Sequence, residues 1–445
     1  MQVEKKSEQS ILEPYSAQEE KLIAKTYDSG FEFAHDSYNA ITVAGDGRVY
    51  YVLSSEKHDV AGRIYVFDPE NGTTTLLGDL TEICGEKGEQ FISQGKSHVE
   101  FFERGTKLYF STHVGFYELI DGMDRLPVNA PASYKLYKGG HILCYDMSTG
   151  KFEDLAIIPN GEGAVSMTMD VERGNVYCIS WPAGNFIHFN VDSGELNQLG
   201  ATAEKGEGGT PGTDFRSLCR SLFVDPRSGI AYFSTADGDI YSYSPEKIQL
   251  KKLEEVDLRI DYFGKYSPEQ PGSMGYNWRK ICWHEEDEMA YGVHGNSGYL
   301  FKFDPVAQKI ELIERITSDL SRKSGMYDQF SYGYLGFQLG PDKETIYYLT
   351  GGPIYVNGKR VGGLNQIAKG AAKGLENLHL VTYHIPSAKY TDHGPIFYEN
   401  GDRPLYVNSI AVAADGTIYT LARINRNGKI ITDLISIPNP LMNPA

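Results

Sequence analysis

Several features are scarce in this sequence of 445 residues, and each scarcity excludes a class of protein. No apolar run approaches the ~20 residues a membrane-spanning helix needs, so no membrane span is expected. The first residues, Met1-Gln2-Val3-Glu4-Lys5-Lys6, lack the apolar stretch of a secretory leader. The expectation is therefore an intracellular protein or one whose leader has been trimmed. Cysteine is sparse and odd in number: Cys84, Cys144, Cys178, Cys219 and Cys282. No two of them have CxxC spacing, so no zinc knuckle is read. Cys144, Cys178 and Cys282 lie in apolar, strand-like runs and are read as buried free thiols. Basic residues are in deficit, with 42 Lys and Arg against 59 Asp and Glu, a formal net charge of -17. A chain of that sign repels phosphate backbones, so nucleic acid is not an expected partner. The overall charge places no limit on a local basic pocket.

What the sequence does contain is a repeat. A β-branched and aromatic run is followed by a tight turn, a second run carrying Tyr, another turn and a third run ending near Asp. First runs begin near Asn39, His98, Ser166, Arg220, Arg279, Tyr334 and Asn408. Turns such as Asp46-Gly47, Arg104-Gly105 and Asp415-Gly416 separate them from the second runs, which argues for antiparallel hairpins. Seven such units predict an all-β fold, a single seven-bladed β-propeller over residues 1–445. The last unit is one strand short. The segment 21–27 is expected to supply that strand and close the ring, since an open ring would leave bare sheet edges.

Propeller geometry then locates a site. The start of each first strand and the end of each second strand meet at one mouth of the central channel. The starts are the seven residues just named. The ends are Ser54, His113, Trp181, Thr235, His294, Thr350 and Arg423. Nearly all are polar or aromatic. Long connections at 114–140, 351–377, 201–217 and 259–276 are expected to wall this mouth, and loops of that length are commonly functional. They carry Tyr117, Tyr134, Tyr137, Tyr262, Tyr266 and Tyr276, a candidate stacking set for sugar rings.

The predicted pocket gathers Arg220, Arg279 and Arg423 with His98, His113 and His294, so the expected ligand is anionic. Arginine forks match carboxylate or sulfate, and histidine or Tyr334 can move protons near neutrality. Asn39, Asn408 and Trp181 complete the expected substrate contacts. These groups suit β-elimination at a uronic acid, in which arginine stabilises the enolate formed on loss of the C5 proton. Asp237 and Asp328 keep hydrolysis open as a weaker reading.

The stretch Gln94 to His113 resembles the seven-bladed propeller polysaccharide lyases, ulvan lyases especially. Gly139-Gly140-His141 and the segments 392–394 and 432–434 resemble parts of related propellers. The resemblance implies cleavage of an anionic, uronate-containing and sulfated polysaccharide, with His98 and His113 at the catalytic site. It also implies that Arg220 or Arg279 neutralises the carboxylate. A polysaccharide substrate would favour a secreted or periplasmic protein. No cofactor is expected. A second class is a divalent metal, zinc or manganese, held by His98, His113 and His294. A third is a non-catalytic propeller that binds a glycan or a protein.

Overall fold

The computed structural model describes residues 22–36, 38–272, 274–319, 322, 336–351, 354–356, 359–361, 378–404 and 406–442. Its strands form seven blades around a channel. Blade 1 has strands Ile41–Val43, Val49–Leu53, Arg63–Asp68 and Thr73–Asp79. Blade 2 has Phe102–Arg104, Lys107–Ser111, His141–Asp146 and Lys151–Ile157. Blades 3, 4 and 5 span residues 163–201, 223–257 and 278–315, each a four-stranded sheet in chain order. Blade 6 runs from Phe337–Leu339 to Lys389–Tyr398. Blade 7 has a broken inner strand, Tyr406–Val407 and Ala411–Val412, followed by Ile418–Arg426 and Lys429–Ile437.

Burial explains the sequence pattern. The second strands are covered on both faces by neighbouring blades, so Val49–Leu53, Asn175–Trp181 and Thr345–Thr350 are buried throughout. Two-sided cover calls for continuous rather than alternating apolar character. Outer strands such as Lys151–Ile157 are partly solvated and carry charge. The third strands of blades 1, 2, 3 and 5 end in Asp or Asn because that side chain starts the next turn. Asp68 accepts from the Glu70 amide, and Asp146 from the Ser148 amide, both at 2.9 Å. A register shift recurs near the start of the third strand in blades 1 to 6, for example at Ile64/Tyr65, Ile142/Leu143 and Leu300/Phe301. A bulge there adds right-handed twist, which each blade needs to sweep outward. This device was not visible in the sequence.

Leu22–Thr26 supplies the missing outer strand. It pairs antiparallel with Lys429–Ile437, Lys25 opposite Ser436 and Thr26 opposite Ile435. It also pairs in parallel with Lys389–Tyr398, Leu22 opposite Ile396. One strand therefore closes blade 7 and fastens it to the outer edge of blade 6. Ser29 extends the clasp: its amide and hydroxyl both donate to the buried Asp433 carboxylate, at 3.0 and 2.5 Å. On the channel side, Ile41–Val43 packs beside Ala411–Val412.

Cys84, Cys144, Cys178 and Cys219 are buried free thiols, and Cys282 is half-buried. Among the described residues, no helix is long and apolar enough to cross a membrane.

Candidate functional site

The site is built around the first two strands of blade 2. His98 precedes its inner strand and His113 follows its second. A short antiparallel bridge joins them: the Lys96 amide donates to the His113 carbonyl at 3.1 Å, and the His113 amide to the Lys96 carbonyl at 2.8 Å. This brings the two imidazole rings to 4.6 Å between centroids. Blade 3 offers His113 a seat at Gly163, where a Cβ would stand 2.9 Å from the ring. Trp181 lies opposite Gly163 in the hairpin, with its ring 5.3 Å from His113 and 5.3 Å from Tyr117. Tyr38 covers the other side, 4.4 Å from the His98 ring. The buried Lys96 ammonium lies between two tyrosines, 4.1 Å from the Tyr38 ring and 4.4 Å from that of Tyr117. It donates to the Tyr38 hydroxyl at 2.9 Å.

Arginines from three other blades face the same region. Arg220 is held by Glu207 at 2.5 Å and donates to the Leu218 carbonyl at 2.9 Å. Glu207 also accepts from the Trp181 indole at 2.9 Å and the Leu218 amide at 3.0 Å. Arg279 is buried, with one nitrogen 3.3 Å from the Met274 sulfur and another 3.5 Å from Asn408 Oδ1. Arg423 pairs in register with Tyr406. Burial and Asp36 raise the Tyr406 pKa, while Arg279, Arg423 and Arg220 all oppose the rise. Three guanidinium groups therefore act on one hydroxyl.

Below this ring lies a channel cavity of about 280 Å³, lined by Asn39, His98, Ser166, Arg220 and Lys280 among others. Asn39 donates to Glu100 at 2.9 Å, and Glu100 pairs with Lys280. Burial pushes Lys280 down to about 8.

Both histidines are held well below their usual pKa. For His98 the causes are burial, then the charges of Lys96, His113 and Arg220. For His113 they are burial and Lys96, opposed by a hydrogen bond to the Val114 carbonyl, with Arg220 adding to the depression. That bond, 2.8 Å from Nδ1, puts the proton on Nδ1. The buried Nε2 has no hydrogen-bond partner among the described residues and presents a lone pair. Both groups are therefore uncharged at neutral pH.

Not every expected residue joins this cluster. His294 is drawn elsewhere: it stacks flat on Phe263 at 4.1 Å and its Nδ1 meets the Ser297 hydroxyl at 2.8 Å. Burial pushes its pKa down to about 3. Phe263 covers one face of the buried ring, and His98, His113 and His294 are not among the described groups close enough to share a metal ion. Tyr137 is likewise buried and donates to Gln94 at 2.7 Å, so it is no stacking platform. Asp237 is occupied by Arg216 at 2.9 Å. Tyr334 and Asp328 lie outside the described residues. Lys96, Tyr38, Glu207, Tyr406 and Lys280 were missed from sequence. Lys96 stands two positions before His98, and that spacing was the available signal.

No family model matches the chain, and no curated protein matches it. Solved structures do. A chain in the crystal structure of the mitotic checkpoint complex aligns at 10% identity with a TM-score of 0.52, covering 92% of this chain and 90% of that one. The β-propeller domain of Myceliophteria thermophila Cps50 (Swd1) aligns at 8% identity with a TM-score of 0.51, covering 94% and 99%. At such identity the likeness establishes the propeller fold alone.

Proposed function

We propose that this propeller is a lyase that cleaves an anionic, uronate-containing polysaccharide by β-elimination at the blade 2 mouth. The observation that carries the reading is the neutral His98–His113 pair, 4.6 Å apart, beside Lys96 and Arg220 in an otherwise acidic protein. Arg220 and Lys96, with Arg279 and Arg423 nearby, draw the sugar carboxylate and withdraw charge from C5. His98, which lines the channel, removes the C5 proton. The electron pair forms the C4–C5 double bond as the C4–O bond breaks. Tyr38, whose hydroxyl is kept protonated by burial and by Asp36, gives its proton to the leaving oxygen. His113 holds the adjoining ring in place, and Trp181 offers an apolar face to the sugar.

A second reading has its own observation. Glu207, itself held by the Trp181 indole, fixes Arg220 in place, and such a pocket can grip an anionic glycan without cleaving it. Ultraviolet absorbance of the unsaturated uronate separates the two. The wild type should generate it on at least one uronate polysaccharide, and His98→Ala should be slower by about 10²–10⁴-fold. Glycan binding without any absorbance change favours the binding propeller. Neither binding nor absorbance change overturns both readings.

A further inference from the structure

We propose that His35, Asp36 and Glu56 form a site for one divalent transition-metal cation, of the zinc or manganese type, on the rim of the mouth. The ligand atoms of the three lie within 4.8 Å of one another. They come from two segments that the fold fastens together. The segment joining the closing strand to blade 1 carries His35 and Asp36, and the connection leaving strand Val49–Leu53 carries Glu56. The His35 amide donates to the Ser54 carbonyl at 2.8 Å, which pins one segment to the other. Asp36 is buried and holds a left-handed backbone at φ 55°.

Geometry and chemistry agree on the ion. His35 Nδ1 stands 3.3 Å from Glu56 Oε1. Two ligands bound at ~2.0–2.1 Å to a tetrahedral zinc are separated by about that distance. His35 Nδ1 is buried yet makes no hydrogen bond, which is unfavourable for a ring nitrogen and is relieved when its lone pair binds a metal. Imidazole favours zinc and its neighbours in the first row, and carboxylates also accept manganese. Three protein ligands leave a coordination position for water or for an oxygen of an incoming anion.

The site also reaches the pocket. Tyr38, two residues after Asp36, packs against the His98 ring at 4.4 Å between centroids. A bound cation would offset the formal charges of Asp36 and Glu56 and make the mouth more attractive to an anion. Metal binding is independent of the lyase reading, and its test uses no substrate.

The full chain, stripped with chelator, is titrated calorimetrically with zinc and, separately, with manganese. One equivalent of at least one of them should bind the wild type and raise its melting temperature. His35→Ala and Glu56→Gln should each bind at least about tenfold more weakly, because each loses a direct ligand. Glu56→Gln keeps the residue's shape, so an unchanged circular dichroism spectrum makes its loss of binding a loss of ligation. The double variant His98→Ala/His113→Ala should bind as the wild type does. Absence of binding to the wild type overturns the proposal. So does unchanged binding in Glu56→Gln, or loss of binding only in the double variant.

Discussion

Replacing His141 with phenylalanine should destabilise the propeller by about 3–5 kcal/mol, the usual cost of removing one partner from a buried ion pair. His141 opens the third strand of blade 2 and its side chain is fully buried. Its Nε2 lies 2.9 Å from Glu86 Oε1 and its Nδ1 2.9 Å from Asp154. Two charge-assisted bonds at about 1.5–3 kcal/mol each give the same range. After substitution the buried Glu86 keeps Gln94 at 3.1 Å and the more distant Lys138 at 4.0 Å. The effect carries a pH signature. Burial opposes the imidazolium, but hydrogen bonds to Asp154, Cys84 and Glu86 outweigh it and raise the pKa to about 11. The unfolded value is about 6.5, so the contribution is fully present below that pH and is lost as pH rises through the folded value. Urea unfolding followed by circular dichroism, near neutrality and again at alkaline pH, measures both effects. The wild type should lose stability over that interval and His141→Phe should lose much less. Adding Glu86→Leu to His141→Phe should recover part of the loss, because no charge is then buried alone. A His141→Phe variant within about 1 kcal/mol of the wild type would refute the reasoning.

Three shorter predictions address the site and the ring. Gly163→Ala places a methyl group 2.9 Å from the His113 ring and should cost about 1–3 kcal/mol while sharply lowering any lyase rate, read by urea unfolding and uronate absorbance. Because His98 and His113 titrate well below the usual range, the acid limb of activity should fall below pH ~6.5. Lys96→Met removes a charge that opposes protonation of both rings and should move that limb upward, measured from the pH–rate profile. Asp433→Ala removes the acceptor of Ser29, Leu434 and Arg426 and should cost about 1–3 kcal/mol. Hydrogen exchange should show the loss first in residues 22–26, where the ring closes.

The fold was legible because a propeller repeats its chemistry. Asp46-Gly47 and Arg104-Gly105 mark hairpins wherever they stand, and the apolar second strands reflect cover on both faces whichever blades provide it. The closing strand could be read because one blade was short. Its second, parallel partner in blade 6 could not, since an outer strand gives no local sign of which edges it will touch. The site was legible by the same rule and only as far as that rule goes. Propeller register names one residue per strand end, so it picked out His98, His113, Arg220, Arg279 and Arg423 as candidates. It cannot say which of these a connection will cover, as Phe263 covers His294. Nor does it find groups delivered by the connections themselves. Lys96, Tyr38 and Glu207 reach the mouth from irregular segments, and they set the charge and proton inventory there. Glu207 joins the Trp181 indole to the Arg220 guanidinium, so a side chain from an inter-blade connection fixes the orientation of a residue just ahead of the inner strand of blade 4. The channel provides the frame, and the variable connections determine what chemistry it holds.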